Sequence, residues 1–145
     1  MATGNISPST DRPAAGVIIA SARREGLAEL RAILSSSDWR VRTTDSAFGV
    51  RSLLDSDVSP VILSDSELPD GPWQEILSSL GAYGNPPRLI VCSGLADERL
   101  WAEVLNLGGY DLLASPFDRG EVTRVVEMAW FDWMRASESI PTVTE

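Results

Sequence analysis

Five short apolar runs alternate along the chain with five segments in which apolar residues recur at helical spacing. The runs cover residues 16–20, 39–44, 60–65, 88–93 and 110–114, and each is too short for a helix but suits a strand. The helical segments begin near residues 24, 47, 72, 98 and 118. Strands that alternate with helices form parallel sheets. The pattern therefore predicts an α/β fold, in which helices cover both faces of a doubly wound, five-stranded parallel sheet to give three layers.

The second run differs from the others because its residues alternate between apolar and polar. Such alternation is typical of a half-buried strand near a sheet edge, whereas a continuous apolar run suits a strand buried on both faces. Helical spacing also predicts which helix residues face the sheet. These are Leu27, Leu30, Ile33 and Leu34, then Ala47, Val50, Leu53 and Leu54, then Trp73, Ile76, Leu77 and Leu80, then Leu100, Val104 and Leu107, and finally Val122, Val125, Val126, Ala129 and Trp133.

The length of 145 residues is that of a single domain. Residues 1–14 are polar and contain proline, which predicts a disordered arm, and residues 137–145 predict a flexible tail. The folded domain predicted between them covers residues 15–136. No apolar run approaches the ~18 residues of a membrane span, so we expect no contact with a membrane. The polar start of the chain does not resemble a secretion signal either.

Composition excludes several kinds of chemistry. The net charge of −9 argues against direct binding to nucleic acid. The single cysteine, Cys92, rules out an internal disulfide and favours a reducing, cytoplasmic setting. There is no histidine, and all 12 basic residues are arginines. A serine hydrolase would lack its base, and no glycine-rich loop follows the first strand to hold a nucleotide, so we do not expect an enzyme.

Asp65 stands where the third apolar run ends. In open α/β folds, ligands and chemistry gather at the carboxyl ends of the strands. The segment from Ile62 to Asp65, followed by Leu68-Pro-Asp-Gly71, resembles the phosphoacceptor strand and turn of the receiver domain of bacterial two-component response regulators. The segment from Ile90 to Ser93 resembles the fourth strand of that family. The segment from Gly108 to Phe117 resembles its G-A-x-D-Y-L-x-K-P-F signature. The resemblance implies the flavodoxin-like (βα)5 fold, as in CheY-like receivers, with Asp65 at the phosphoacceptor position.

The chain departs from the resembled family at the residues that perform phosphorylation. Receivers carry two acidic residues after the first strand, which hold Mg²⁺, but these positions fall on Ser21 and Ala22. The family's lysine falls on Ser115, and its aromatic switch position falls on Leu112. Arg23 or Arg24 is expected to reach the site only as a non-isosteric substitute for that lysine. Mg²⁺ prefers several charged oxygen ligands, so the resemblance implies a degenerate receiver, or pseudo-receiver.

Three functions remain open from the sequence. The leading hypothesis is a stand-alone signalling module that acts by protein contact without Mg²⁺-dependent phosphorylation, and so needs no cofactor. The first alternative is a working receiver that a histidine kinase phosphorylates on Asp65, with Mg²⁺ as cofactor. The second alternative is a small-ligand protein that uses the cleft of Ser21, Asp65, Ser93 and Ser115. A vestigial active-site cleft is predicted to contain Ser21, Ala22, Glu67, Ser93 and Ser115, and a metal held in the turn by Glu67 and Asp70 is a weaker possibility.

Aromatic and apolar residues outside the inward faces of the last two helices indicate an interaction surface. In the resembled family, the fourth helix, fifth strand and fifth helix form the usual dimerisation and output face. We therefore expect a homodimer through helices four and five, or contact with another signalling protein. Tyr110 is expected on the same sheet face as Leu112, since the two residues are two positions apart. The predicted interface residues are Trp101, Leu105, Trp130, Phe131 and Met134.

Overall fold

The structure is a computed structural model that describes residues 15–94 and 97–139. Its main sheet contains five parallel strands in the order β2-β1-β3-β4-β5. The predicted doubly wound α/β fold is therefore confirmed. The strands are β1 (Gly16–Ala20), β2 (Arg40–Thr44), β3 (Val61–Asp65), β4 (Arg88–Ser93) and β5 (Asp111–Ala114).

Five helices cover the two faces of the sheet. They are α1 (Arg24–Leu34), α2 (Ala47–Ser56), α3 (Trp73–Ser79), α4 (Glu98–Leu107) and α5 (Arg119–Ser139), and a 3₁₀ turn, Leu80–Ala82, follows α3. The core on one face joins the strands to α1 and α5, and the core on the other face joins them to α2, α3 and α4. Successive strand residues serve the two cores in turn, as Ile18 and Ile19 do, because side chains alternate across a sheet.

The burial of each strand follows its pattern of apolar and polar residues. Every residue of β1 and β3 is buried, as the continuous apolar runs predict. Each fully buried isoleucine or leucine contributes about 1.5–3 kcal/mol relative to an exposed one. β2 lies at one edge of the sheet, and its residues are half-buried except for the exposed Arg40. The prediction of an edge strand is confirmed, and its arginines also disfavour pairing with another chain.

Helix ends are fixed by the residues that the sequence offers for them. The Ser46 side chain accepts a hydrogen bond from the backbone N–H of Gly49, and Asp97 accepts one from Leu100, so α2 and α4 are both capped. Gly108 ends α4 with a φ of 108°, a left-handed conformation that favours glycine. No helix in the described part of the chain is long and apolar enough to cross a membrane.

Some predicted boundaries were wrong. Strands β2, β3 and β5 each begin one residue later than predicted. Helix α5 continues to Ser139, so residues 137–139, which were assigned to the tail, are helical. The predicted arm, residues 1–14, and the rest of the predicted tail, residues 140–145, lie outside the described residues. The extension of α5 follows from the absence of a glycine or proline between Arg119 and Ser139 except at its first turn.

Candidate functional site at the carboxyl edge of the sheet

Four of the predicted cleft residues meet at the carboxyl edge of the sheet. Asp65 and Ser93 end their strands, while Ser21 and Ser115 directly follow theirs. The parallel register aligns these ends, and the backbone N–H of Ser115 donates to the Ser93 carbonyl across 3.1 Å. Ser21, Asp65 and Ser93 are buried, whereas Ser115 is half-buried. Ala22 and Glu67, the other predicted cleft residues, are exposed.

The Asp65 carboxylate is held by two groups from the loop after β1. The Ser21 hydroxyl donates to Oδ2 across 2.7 Å, and the bond is buried. The Arg23 guanidinium lies 3.5 Å from Oδ1, with its side chain 51% exposed and that of Asp65 only 8% exposed. The hydrogen bond from the Ser21 hydroxyl is therefore short and buried, while the ion pair with Arg23 is long and exposed to solvent. Both groups come from one short loop, so Asp65 ties that loop to the end of β3.

Local backbone geometry places the two partners of Asp65. The backbone N–H of Arg23 donates to Ser21 Oγ across 3.1 Å, which folds the loop back on itself before α1 begins. The same turn aims the Arg23 side chain at the carboxylate, as the sequence suggested for Arg23 or Arg24. No ion pair involves Arg24 among the residues that the structure describes.

Asp70 has a different partner from the metal considered for it. Its two carboxylate oxygens accept hydrogen bonds from the backbone N–H groups of Ala47, across 2.8 Å, and Phe48, across 3.0 Å. These bonds lower the pKa of Asp70. Asp70 thus caps the first turn of α2, where a negative charge is favourable. Because both Asp70 oxygens accept hydrogen bonds from the first turn of α2, the geometry disfavours a metal held by Glu67 and Asp70.

The donor set at this edge does not fit Mg²⁺. A hard divalent cation needs several oxygen ligands, preferably charged ones. The described residues contain no group of three or more acidic, cysteine or histidine side chains that could hold a metal. Asp65 brings one carboxylate, Ser21 brings a neutral hydroxyl and Ala22 brings no side-chain ligand at all. The Arg23 guanidinium further opposes a second cation beside Asp65.

Leu112, which was predicted at the family's aromatic switch position, lies on β5. It packs half-buried against the core beside α2, α3 and α4. Tyr110 packs instead against the core beside α1 and α5, so its predicted place on the same face as Leu112 was wrong. The reason is that β5 begins only at Asp111, and strand alternation does not extend to the residue before it.

The predicted interface residues fall into two neighbourhoods. Trp101 is 50% exposed and Leu105 is 37% exposed on α4, and Phe131 is 57% exposed on α5. Trp130 was predicted with them, but it is buried and packs edge-on against Trp39, with ring centroids 6.0 Å apart. Its large ring reaches the core from the flank of α5, one turn after the buried Val126.

The environment of Phe131 separates it from α4. Its ring packs against Trp130 at 4.9 Å, and Trp130 in turn contacts Trp39 at the β2 edge of the sheet. Met134 is half-buried against the same core. Trp101 instead lines a groove with Leu112 and Glu121. Phe131 and Met134 therefore lie in a different neighbourhood from Trp101.

On α4 and α5, the exposed apolar side chains of Leu107 and Met128 were missed by the sequence analysis. Leu107 was predicted to face the sheet but is 54% exposed, because α4 ends there and Gly108 turns the chain. Met128 is 51% exposed on α5, one helical turn from the Arg124 guanidinium, which contacts its sulfur at 3.8 Å. Its position two residues after Val126 indicated an outward direction. Trp133, which was predicted to face inward, is half-buried and donates its indole N–H to the Asn85 carbonyl.

Comparisons with known proteins agree on the fold. No family model matches the sequence, and no curated protein matches it. The structure is similar to a signal receiver domain of an HD domain-containing protein from Pseudomonas fluorescens Pf-5, with a TM-score of 0.78, 21% identity and coverage of 86% of this chain and 93% of that one. It is also similar to the signal receiver domain of a putative LuxO repressor protein from Vibrio parahaemolyticus, with a TM-score of 0.79, 12% identity and coverage of 87% and 97%.

A third similar structure is the beryllofluoride-activated NtrC4 receiver domain dimer, with a TM-score of 0.75 and 18% identity. The match covers 82% of this chain and 98% of that one. The chain therefore has the flavodoxin-like fold of CheY-like receiver domains, as its motifs indicated. At these identities the likeness concerns the fold, and the chemistry has to be judged from the residues of the site itself.

Proposed function

We propose that this chain, which has the fold of receiver domains, is a non-enzymatic signalling module that works by protein contact and without Mg²⁺-dependent phosphorylation of Asp65. The observation that supports this proposal most strongly is that the Asp65 carboxylate already has partners within the chain: it accepts a hydrogen bond from the Ser21 hydroxyl, and the Arg23 guanidinium lies 3.5 Å from it. A buried free thiol, Cys92, favours a reducing cytoplasmic setting for the module.

The chemistry of phosphoryl transfer supports this reading. The reaction depends on positive charge positioned around the moving phosphate. In receivers, that charge comes from Mg²⁺ and a lysine. This chain has neither the two acidic residues that follow the first strand of receivers and hold Mg²⁺, nor any lysine. Arg23 supplies one cation, but its side chain is half exposed and contacts Asp65 at only 3.5 Å. One loosely held guanidinium is a weak replacement for both.

Phosphotransfer to Asp65 provides the test. The wild type and the Asp65→Asn variant are incubated with acetyl phosphate and Mg²⁺, and the incorporated phosphoryl group is measured on the intact protein by mass spectrometry. We expect no difference between them. A triple variant, Ser21→Asp, Ala22→Asp and Ser115→Lys, restores the missing groups and is expected to gain incorporation. Incorporation into the wild type that Asp65→Asn abolishes would favour the working receiver instead.

We further propose that the chain forms a homodimer through α4 and α5. Leu105 on α4 and Met128 on α5 are both exposed apolar side chains, which supports contact with another protein. Light scattering on the wild type and on the Leu105→Ala plus Met128→Ala double variant measures the oligomeric state. The matched control is Phe48→Ala, which removes a side chain 67% exposed on α2. Loss of a dimer only in the first variant supports the α4 and α5 interface, and a wild-type monomer removes the homodimer.

A ligand-binding use of the serine-lined cleft has less support. Ser21, one of its four polar residues, already donates its hydroxyl proton to Asp65. Thermal stability in the presence of candidate small anions tests this function, since a ligand that binds only the folded state raises the midpoint.

A further inference from the structure

A groove lies between α4, β5 and the first turn of α5, beside the Leu112 switch position. It has a volume of about 560 Å³. Three side chains give it an apolar floor, and four carboxylates surround them. The lining residues, which we call the acidic groove, are Asp97, Glu98, Trp101, Asp111, Leu112, Ala114 and Glu121.

The floor of the acidic groove includes an unusual surface residue. Trp101 leaves half of its area in water, although an indole ring is one of the costliest apolar groups to leave exposed. The half-buried Leu112 continues the apolar surface from α4 onto β5. A side chain bound in the groove could therefore contact both the Trp101 ring and the apolar surface of Leu112.

The charges around this floor are uncompensated. Ion pairs in the described part of the chain join Arg23 to Asp65, Arg40 to Asp57, and both Arg88 and Arg135 to Asp132, so none involves a carboxylate of the groove. Asp97 and Asp111 each accept a hydrogen bond from a backbone N–H, of Leu100 and Leu112 respectively, through one oxygen. The lining residues include no arginine whose guanidinium could pair with the remaining oxygens of these aspartates or with the two glutamates.

We infer that the acidic groove docks a cationic segment of a partner protein, in which an arginine or lysine lies over Trp101 and an apolar neighbour contacts Leu112. Charge complementarity supports this occupant: a cation gains from the four carboxylates and from the face of the indole ring. This inference deepens the proposed function, because it gives the chemistry of the partner that a contact-based module would recognise.

Charge also argues against a second copy of this chain as the occupant. An isologous contact places the same surface patch on both subunits. Two acidic grooves would then face each other and bring like charges together in a chain that already carries a net charge of −9. Such juxtaposition is costly and disfavours the wrong partner. A dimer through Leu105 and Met128 can avoid this cost only if the groove stays outside the contact.

The test uses a blocked amphipathic peptide of arginine and leucine as the probe, and a matched peptide of glutamate and leucine as its control. Binding to the full chain is measured by titration calorimetry and by the NMR signal of the Trp101 indole N–H, assigned with Trp101→Phe. The groove variant carries Glu98→Gln, Asp111→Asn and Glu121→Gln, which leave the Asp97 cap of α4 intact. The control variant carries Asp38→Asn, Asp45→Asn and Asp55→Asn, which remove as much charge near the opposite edge of the sheet.

We expect the arginine peptide to bind and to shift the Trp101 signal. The groove variant should weaken binding about tenfold and the control variant less than about threefold, because exposed ion pairs act locally in salt. Trp101→Ala should also weaken it. Equal weakening by the two charge variants would show non-specific attraction and overturn the inference.

A different result would assign the groove to a second copy. Self-association of the wild type that Trp101→Ala abolishes, with no binding of the arginine peptide, gives that outcome and overturns the inference. Failure of the proposed function can be distinguished from these two outcomes, because it is detected as phosphorylation of Asp65, which lies outside the acidic groove.

Discussion

Removal of the Ser21 hydroxyl should destabilise the domain more than removal of the Arg23 charge. The Ser21→Ala variant leaves the Asp65 carboxylate without its 2.7 Å donor, and both side chains are buried. The loss of a hydrogen bond to a charged group costs about 1.5–3 kcal/mol. The Arg23→Ala variant removes an ion pair that is 3.5 Å long and half exposed on the arginine side. Such a pair contributes about 0.2–1 kcal/mol.

Urea unfolding followed by tryptophan fluorescence measures the difference. With a slope of about 1–3 kcal/mol per molar urea, Ser21→Ala should lower the midpoint by about 1 M, and Arg23→Ala by a small fraction of that. The Asp65→Asn background gives the control. Ser21→Ala should cost less there, about 0.5–1.5 kcal/mol, because the lost bond then involves a neutral acceptor.

Equal or larger destabilisation by Arg23→Ala would refute this reasoning. It would mean that the ion pair, rather than the hydroxyl, holds Asp65 in place. The double variant is also informative, since both partners share one carboxylate and their effects should not be additive.

Three further predictions follow from local geometry. Asp70→Ala should lower the thermal midpoint near neutral pH, because the Asp70 carboxylate caps α2 through hydrogen bonds from Ala47 and Phe48. These bonds lower the pKa of Asp70, so the difference in midpoint from wild type should shrink as the pH falls below 3.8, the usual pKa of an aspartate. Gly108→Ala should destabilise by about 1–2 kcal/mol because of its left-handed backbone, measured by urea unfolding, whereas Gly84→Ala, with open space around it, should have little effect. Cys92 should resist thiol reagents until the chain unfolds, because burial and the nearby Asp65 charge raise the pKa of its thiol.

Each of these predictions has a contradicting result. A difference between Asp70→Ala and wild type that stays constant into acid would mean that the carboxylate does not cap α2. Equal destabilisation by the two glycine variants would contradict the conformational reason. Labelling of Cys92 in the native protein, at a rate independent of urea, would show that the thiol is accessible.

The strands were predictable because burial on both faces leaves a simple signal. β1 and β4 have the predicted bounds, since each is a continuous apolar run with a polar or glycine boundary. Helix α1 also begins and ends as predicted. The end of α5 was not predictable from polarity alone. Its polar last residues resemble a tail, but a helix can continue with polar residues on its outer face.

The location of the site could be predicted from the sequence, but most of its side-chain contacts could not. Position at the strand ends sufficed to bring Ser21, Asp65 and Ser93 to one edge. The hydrogen bond from Ser21 depends on the fold of a short loop, which spacing does not reveal. The role of Asp70 depends on α2, which follows another strand and carries no local sequence signal for that contact. Trp130 was misplaced because helical spacing gives the direction of a side chain but not its reach.

Titration with Mg²⁺, alone and with beryllofluoride, tests the central claim most directly. Amide NMR signals near Asp65 are followed in the wild type and in Asp65→Asn. We expect no saturable, metal-dependent shifts at Asp65 up to millimolar Mg²⁺, because the carboxylate is paired within the chain and the described residues include no acidic cluster that could complete a magnesium site. Saturable shifts that Asp65→Asn abolishes would contradict the claim and make the chain a working phosphorylation switch.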